Sequence, residues 1–475
     1  MRTMPRPMTD RRPTIRLALL AAACAAGLAA CAAQPLPTLD RSLPASWRHA
    51  PSPAAAAPDL KGWWRGFDDA ALDALVDRAL AENLGLKAAA ERLLAARVLR
   101  AHARDTYLPY VRAHVDNEFA PSASASYLVS SIDALWELGL FGRREGTTRL
   151  LAAEAADAEA AQDGAQVSLI AEVVADYLML GAAQERLALL SRARTLQEQQ
   201  LSLLKVREGL VLASGLEVAE ADAALARARA AEASGSQQVD AMASQLAVLL
   251  GLSAPESAWL DGARRSRLAV AAIPEAPAEL LRTRPEIRRA EAAVLAAAGA
   301  ADLARADRLP NIGIGGSIHW STNVTRNIRR GSTYEIASIG PMLDIPLFDW
   351  GLRRARAESK SHLLNAATLE YREPVLRGIA EVETAHGTLQ RDTLRETESE
   401  HAALALQRGA EAATQRARLQ LASLLATNAA TLAAVDAQLT FVDARTERSM
   451  AYVALYKALG GAPRPATGEV PAGTP

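Results

Sequence analysis

The sequence predicts a mainly α-helical protein with two β-hairpins, built as an internal duplication of one unit: helix, β-hairpin and long helical hairpin. Three observations predict this fold class. The composition is dominated by aliphatic helix formers, a set of local motifs occurs twice along the chain, and two short segments alternate between apolar and polar residues.

The composition excludes several classes of protein. The chain has 475 residues, of which 50% are hydrophobic but only 4% aromatic, so its apolar content is mostly Ala, Leu and Val. Lys and Arg number 53 against 54 Asp and Glu, and no basic excess points to a nucleic-acid partner. Its two cysteines, Cys24 and Cys31, both lie near the N-terminus, so they predict neither a disulfide framework nor a zinc site.

Residues 1–30 are predicted to be a signal peptide. Three arginines within positions 11–16 precede a short apolar run, 17–28, which is too short to span a bilayer well. The run ends in Leu28-Ala29-Ala30-Cys31, which resembles a bacterial lipobox, whose cysteine is acylated and becomes the new N-terminus. Cys31 is therefore the predicted palmitate-bearing anchor, and ordinary cleavage after small residues is the alternative. No later stretch is expected to form a transmembrane helix, so any later bilayer crossing must use strands.

Beyond the anchor, the chain divides into a linker and two repeats. Residues 31–60 are rich in Pro, Ala and Ser and predict a lipidated N-terminal linker. The first repeat is assigned to 61–280 and the second to 281–461, followed by a flexible tail at 462–475. Each repeat contains a helical segment that ends in Leu-Pro, then strand-like runs, then a Leu-Phe pair and a basic helix start.

The four predicted strands lie at about 107–119, 126–140, 311–320 and 333–348. The first and third alternate cleanly, because apolar residues share one side and polar residues or glycines the other, whereas the second and fourth alternate less regularly. The apolar set is Val111, Ala113, Val115, Ile312, Ile314, Ile318 and Trp320. This pattern fits a strand between lipid and water, and it also fits a soluble sheet packed on helices.

Two pairs of long helices are predicted, at 143–250 and 351–459. No proline occurs between Arg143 and Lys205, and leucines at period seven favour a coiled coil. Pro374 predicts a kink or break in the second pair. Four strands cannot close a barrel, and open edges in lipid leave backbone groups unpaired. Two copies would give a filled eight-stranded barrel, whereas three copies would give a water-filled, 12-stranded one; the strands therefore predict a trimer if they cross a membrane.

Several motifs resemble the outer-membrane efflux protein (TolC-like outer-membrane factor) family, in its NodT-type lipoprotein branch. They are Trp63-Trp64 with Phe67-Asp68-Asp69, Trp136 to Arg143, Ala171 to Tyr177, Leu281 to Ile287, Pro346 to Asp349 and Leu455 to Gly461. The resemblance covers nearly the whole chain after the linker. Gly139 stands where the family has Asp.

The resemblance implies a lipid-anchored homotrimer in the outer membrane, with a 12-stranded barrel, an α-helical periplasmic tunnel and an equatorial belt from about 61–80, 252–280 and 455–470. It implies passive conduction of drugs, organic solutes or metal ions, hence a part in antibiotic resistance, without any cofactor. The implied partners are a periplasmic adaptor protein and an inner-membrane transporter of the RND, MFS or ABC type.

The same resemblance suggests two periplasmic tips. At the first, Gly209 would permit the reversal, Leu210 and Glu217 would dock the adaptor, and Ser214 would cap the next helix. At the second, the candidate gate is Leu419, Gln420, Ser423 and Leu424, with Gln420 at the family's usual Gly and without the acidic residues of relatives. Plain turn chemistry is the alternative for every one of these residues.

Paired basic residues mark the predicted passage from barrel to tunnel. Arg143 and Arg144 follow the first hairpin, and Arg353 and Arg354 follow the second. They are interpreted as interface anchors or lumen charges, with a solvated helix start as the alternative.

No enzyme is predicted, because the seven histidines form no metal pair at i,i+4 and no nucleophile–base motif occurs. A periplasmic coiled-coil adaptor or scaffold lipoprotein remains the competing class. Such a protein would carry one helical hairpin rather than a duplicated unit.

Overall fold

A computed structural model describes residues 35–43, 47–48, 60, 62–118, 127–260, 283–323 and 333–460. The predicted signal peptide, the lipidation site Cys31, most of the linker, the 462–475 tail and the greater part of the 252–280 belt segment lie outside the described residues.

The described chain repeats one order of elements. The first half contains α1 (Ala70–Glu82), α2 (Leu84–Ala101), β1 (Tyr110–Glu118), β2 (Tyr127–Glu137), α3 (Arg143–Gly209), α4 (Gly215–Leu249) and the short α5 (Ser257–Leu260). The second contains α6 (Pro285–Ala306), β3 (Asn311–Asn323), β4 (Thr333–Asp344), α7 (Leu352–Glu370), α8 (Arg372–Arg418) and α9 (Leu424–Ala458). A 3-10 helix, Trp63–Phe67, precedes α1.

Chain contacts divide the protein into two compact units. The first comprises 1–40, 93–158 and 289–372, and the second comprises 41–92, 159–288 and 373–475. The first unit contains all four strands, which form one antiparallel sheet in the order β1-β2-β3-β4. The two predicted hairpins are therefore joined through β2 and β3.

Close helix packing supports the sheet within the first unit. A side chain added to Gly299 of α6 would lie 2.8 Å from the carbonyl oxygen of Gly146 in α3, so only glycine allows this backbone approach. Beside it, Arg149 pairs with the buried Asp302 at 2.5 Å. A small-residue contact and a buried ion pair thus join α3 to α6.

An aromatic core organises the second unit. Trp63 stacks on Tyr456 with ring centroids 5.3 Å apart, and Phe67 meets Tyr452 edge-on at 5.6 Å. Asp69 caps α1 by accepting from the Ala71 N–H at 2.9 Å. The motif that opens the first repeat therefore packs against the end of the second.

Several expected element limits were wrong by a few residues. β1 begins at Tyr110 rather than 107, and β2 ends at Glu137 rather than 140. β3 continues to Asn323 rather than 320, and β4 ends at Asp344 rather than 348. The Leu-Phe pairs follow the strands. After β2 the backbone becomes left-handed at Gly139 (φ 61°) and again at Phe141 (φ 59°), conformations outside the β region. The break expected near Pro374 is confirmed at Tyr371, since proline cannot donate the backbone hydrogen bond of the preceding turn.

One helix contradicts the expectation that no stretch after the signal peptide is apolar enough to form a transmembrane helix. Among the described residues, α3 is long and apolar enough to do so by length and composition alone. However, 56% of its most apolar window is buried inside the chain. Helix packing therefore accounts for this apolar content, as in the core helix of a soluble protein.

Candidate functional site

The strand register separates the sheet into two faces of different chemistry. Val111 pairs with Ala134, Ala134 with Gly316 and Gly316 with Ile339, so these four positions share one face, and every second residue follows them. The described side chains of this apolar face are Val111, Ala113, Val115, Leu128, Ser130, Ile132, Ala134, Trp136, Ile312, Ile314, Ile318, Trp320, Thr322, Glu335, Ala337, Ile339, Pro341 and Leu343. Ile339 is 88% exposed and Val111 69% exposed, which is the arrangement of a surface that faces lipid.

The opposite face is polar. Its described hydrophilic side chains are Arg112, His114, Asp116, Ser131, Asp133, Glu137, Asn311, Ser317, His319, Ser321, Ser338 and Asp344. Arg112 and Asp133 pair across β1 and β2 at 3.4 Å, and Ser317 and Ser338 form a hydrogen bond across β3 and β4 at 3.0 Å. The sheet can therefore separate an apolar phase from water.

Both edges of the sheet are open within this chain. In the part of the chain that the structure describes, β1 pairs only with β2 and β4 only with β3. Unpaired backbone groups along an edge strand cannot be left in lipid, because no water is there to satisfy them. The sheet is complete only when β1 and β4 pair with strands of other chains.

At the first predicted junction, ion pairs and close packing hold the turn between β2 and α3. Arg143 lies at the start of α3, 3.4 Å from Glu137 and 3.0 Å from Asp307. Gly139 has φ 61°, and a side chain there would lie 2.5 Å from the Tyr107 ring. Arg144, the other predicted residue, is half-buried and its N–H donates to the Gly139 carbonyl at 3.2 Å. Gly139, which stands where the family has Asp, thus packs so closely against Tyr107 that no side chain fits there.

The second junction has different chemistry. Asp349 accepts from the N–H groups of Gly351 and Arg353 at 3.0 Å each, which caps α7. Arg354 forms an exposed i,i+4 pair with Glu358 at 2.8 Å. Phe348 and Trp350 stand outside the strand, edge to face, and Trp350 is 91% exposed. Arg353 and Arg354 therefore belong to a helix start, beside an exposed aromatic pair.

The first tip joins α3 to α4. The Leu212 N–H donates to the Arg207 carbonyl at 2.7 Å and the Val211 N–H to Glu208 at 2.9 Å, the two bonds of a Schellman C-cap. Ser214 and Glu217 form a complete capping box at the start of α4. Hydrogen bonds from the Ser214 backbone N–H and hydroxyl lower the pKa of Glu217. The expected role of Ser214 as a cap is confirmed.

Gly209 does not make the reversal, contrary to expectation. It is the last residue of α3, and the left-handed residue is Val211, with φ 60°. The C-cap bonds fix the position of the reversal, so a β-branched residue occupies a conformation that glycine would adopt without strain.

The second tip joins α8 to α9 with the same bonds. The Leu421 N–H donates to the Arg416 carbonyl at 2.8 Å, and Gln420 takes the left-handed conformation, φ 60°. Ser423 accepts from the Ala426 N–H at 3.1 Å. Ala426 has no side chain that could complete a capping box.

Both tips expose apolar side chains. The exposed residues are Leu210, Val211, Leu212 and Leu216 at the first tip, and Leu419, Leu421 and Leu424 at the second. Beneath them, a buried cluster of Leu201, Leu204, Ala221 and Leu225 receives Val218 and, from the second tip, Leu425. The tips therefore pack on one another while leaving a leucine-rich outer surface.

The described residues contain no group of three or more His, Cys, Asp or Glu able to hold a metal ion.

A two-faced sheet with open edges, joined in one chain to duplicated long helices, defines a subunit of a membrane channel. Comparison with known proteins gives the family. The outer membrane efflux protein family matches residues 75–252 and 276–461. The chain belongs to this family.

Similar proteins agree with this assignment. Outer membrane protein OprJ of Pseudomonas aeruginosa is 28% identical, over 86% of this chain and 87% of its own length. Nodulation protein T of Rhizobium leguminosarum bv. viciae is 30% identical, over 74% and 73%. The structure of the outer-membrane channel OprN has 28% identity and a TM-score of 0.71, covering 87% of this chain and 98% of that one.

These findings confirm the predicted fold class, outer-membrane location and efflux function. The chain is a subunit of a trimeric outer-membrane efflux channel that works with an adaptor protein and an inner-membrane pump. Sequence reasoning missed Val211 and the cross-strand placement of His114 and His319. The first requires knowledge of the cap bonds, and the second requires the register between β1, β2 and β3.

Proposed function

We propose that this chain is a passive conduit that performs no chemical reaction on its solutes. Each copy contributes four strands to a 12-stranded barrel, with the apolar face towards lipid and the polar face towards a water-filled lumen. The opposite chemistry of the two faces, together with the open edges of β1 and β4, supports this assignment.

We propose drugs, organic solutes or metal ions as the exported compounds. The polar face carries hydroxyl, carboxylate, imidazole and guanidinium groups, and Tyr110 is the only Phe, Tyr or Trp among its described side chains. Such a lining favours permissive passage. The inner-membrane transporter, of the RND, MFS or ABC type, would then select the substrate.

The tips supply the proposed adaptor contact and gate. Leu210, with Gly209, Ser214 and Glu217 holding its turn, is the proposed docking surface, because it is 64% exposed on a turn fixed by a capping box. Leu419 and Leu424, with Gln420 and Ser423 in the same turn, form the proposed gate. A photo-reactive residue at Leu210 should cross-link to the adaptor in cells, and one at Leu94, exposed on α2, should not.

Cys31 is the proposed site of the lipid anchor. Cys31→Ala should prevent palmitate labelling while leaving trimer formation intact, since the strands carry the assembly. Palmitate on the variant would contradict this assignment.

A pair of neighbouring substitutions tests the conduit. Ile318→Arg places a cation on the apolar face, where it costs about 2–4 kcal/mol near the bilayer midplane. Ser317→Arg places the same cation on the polar face. Ile318→Arg should reduce heat-modifiable trimers in outer-membrane fractions, whereas Ser317→Arg should keep trimers and change the conductance in planar bilayers.

If Ser317→Arg reduced the trimers and Ile318→Arg kept them, the apolar face and not the polar face would line the lumen. A protein that stays monomeric and soluble after removal of its lipid would instead favour the scaffold lipoprotein.

A further inference from the structure

Two histidines stand in one cross-strand row on the polar face. His114 of β1 pairs with Ser131 of β2, which pairs with His319 of β3, so both imidazoles lie in one cross-strand row with one serine between them. Adjacent strands are about 4.8 Å apart, which places the two histidine backbones on the order of 10 Å from each other. His114 is exposed and His319 half-buried, and the row ends at Ile336 of β4.

The charged neighbours of this row are few. On β1, Arg112 and Asp116 flank His114, whose Nε2 lies 2.8 Å from the Asp116 Oδ2. On β2, Asp133 pairs with Arg112, and Glu137, at the end of the strand, lies 3.4 Å from Arg143. Apart from His319, the described polar-face side chains of β3 are uncharged. On β4, the described polar-face residues are uncharged until Asp344, which ends the strand.

We infer that His114 and His319 form a belt in the channel lumen that sets its ion selectivity and reverses that selectivity with pH. The inference rests on the proposed function, in which the polar face lines a trimeric pore. Three copies would repeat this row three times and place six imidazoles in one band of the barrel wall, inclined with the tilt of the strands. Rings of charged side chains select ions in narrow pores because the low-dielectric wall concentrates their field.

The sign of the local charge depends on the two imidazoles. With both neutral, one arginine opposes two aspartates on β1 and β2, so each copy carries one net negative charge around the row. Protonation of both imidazoles adds two positive charges and leaves one net positive charge. Imidazole is the side chain that ordinarily changes charge between about pH 5 and 8.

Reversal potentials of the full-length purified trimer in planar bilayers, under a KCl gradient, test the belt. The permeability ratio of K⁺ to Cl⁻ should exceed one at pH 8 and fall below one at pH 5. The double variant His114→Gln/His319→Gln should keep the ratio above one at both pH values, and each single variant should lose roughly half of the shift.

A matched control removes two histidines outside the sheet. His102→Gln/His362→Gln, at exposed positions after α2 and on α7, should retain the wild-type pH response. Heat-modifiable migration of every variant verifies the trimer. If the double variant forms a conducting trimer whose permeability ratio changes with pH as in the wild type, the proposed belt is wrong and the proposed conduit is unaffected. Absence of any conductance from assembled trimers would overturn the conduit itself.

Discussion

The two helical turns of the second unit share a backbone and differ in their side chains. Each ends its first helix with the same pair of C-cap bonds, each has a non-glycine residue at φ 60°, Val211 or Gln420, and each begins its second helix with a serine cap. Over equivalent stretches, the first turn (205–222) carries four acids and two bases, whereas the second (414–431) carries two arginines and no acid.

This difference shows which part of the turn is structural. Backbone N–H and C=O groups at helix ends must be satisfied, and the same bonds satisfy them in both turns. Two charged side chains bond to the backbone of the first turn: Glu217 in the capping box, and Arg207, which donates to the Leu212 carbonyl at 3.2 Å. The other charges take no part in the cap bonds and are therefore free to differ. Arg416 and Arg418 form no ion pair with any described residue, which makes the second turn the more basic surface.

Loss of the serine caps should produce the largest effect and should separate the two turns. Ser214→Ala removes both hydrogen bonds of the Ser214 hydroxyl, to the N–H and to the carboxylate of Glu217, but keeps the backbone N–H bond to that carboxylate. It should lower the free energy of local opening at the start of α4 by about 1–2 kcal/mol. Ser423→Ala removes a single cap and should cost about 1 kcal/mol or less at α9. Hydrogen exchange of the peptides covering 215–225 and 424–434 measures both, and equal losses would contradict the assigned difference.

Glycine at the left-handed positions should stabilise both turns. Val211→Gly should gain about 1 kcal/mol of local stability, because a β-branched residue is strained at φ 60°. Gln420→Gly should gain less, since its side chain is unbranched at Cβ. Gly209→Ala is the control; Gly209 is helical, so alanine there should be neutral or slightly stabilising. Destabilisation by Val211→Gly would mean that the valine side chain makes a contact that holds the turn.

A carboxylate can be added to the second turn to make it resemble the first. Ala426→Glu places an acid three residues after Ser423 and should complete a capping box, with a gain of about 0.5 kcal/mol in the opening of α9. Ala426→Gln, which keeps the hydrogen bond without the charge, separates capping from electrostatics. If neither substitution slows exchange at the start of α9, the equivalence of the turns fails.

The smallest expected effect is a pH dependence confined to the first turn. The pKa of Glu217 is lowered from about 4.5, so its contribution to the turn is present above that pH and is lost as pH falls through and below it. The start of α4 should therefore exchange relatively faster at low pH, after correction for intrinsic exchange rates, while α9 shows no such change. Glu217→Gln should remove the difference.

The long helices and the clean strands could be predicted because periodicity reports directly on burial. β1 and β3 alternate in sequence and do so in the sheet. β2 and β4 were ambiguous, since Ser130 and Glu335 interrupt the apolar face and Val129 and Ile336 the polar face. Their pairing partners assign every residue to a side, which sequence periodicity alone could not do.

Turn positions were harder to predict than the turns themselves. Gly209 was a reasonable choice for the reversal, because glycine is the residue that most readily adopts a positive φ. The capping bonds instead place the reversal two residues later, at Val211. The same applies to the junctions, where the fixed role of Arg143 depends on Glu137 and on Asp307, which is 164 positions away along the chain.

The sequence by itself determined the duplication, the helix and strand types, the membership in an efflux-channel family and the serine cap of the first turn. These depend on local spacing and on motifs that are readable residue by residue. Only the tertiary structure decided the strand register, and with it the row of His114 and His319, and the left-handed residue of each turn. Those features arise from hydrogen bonds between segments or across a turn, and local sequence preference does not specify which donor meets which acceptor.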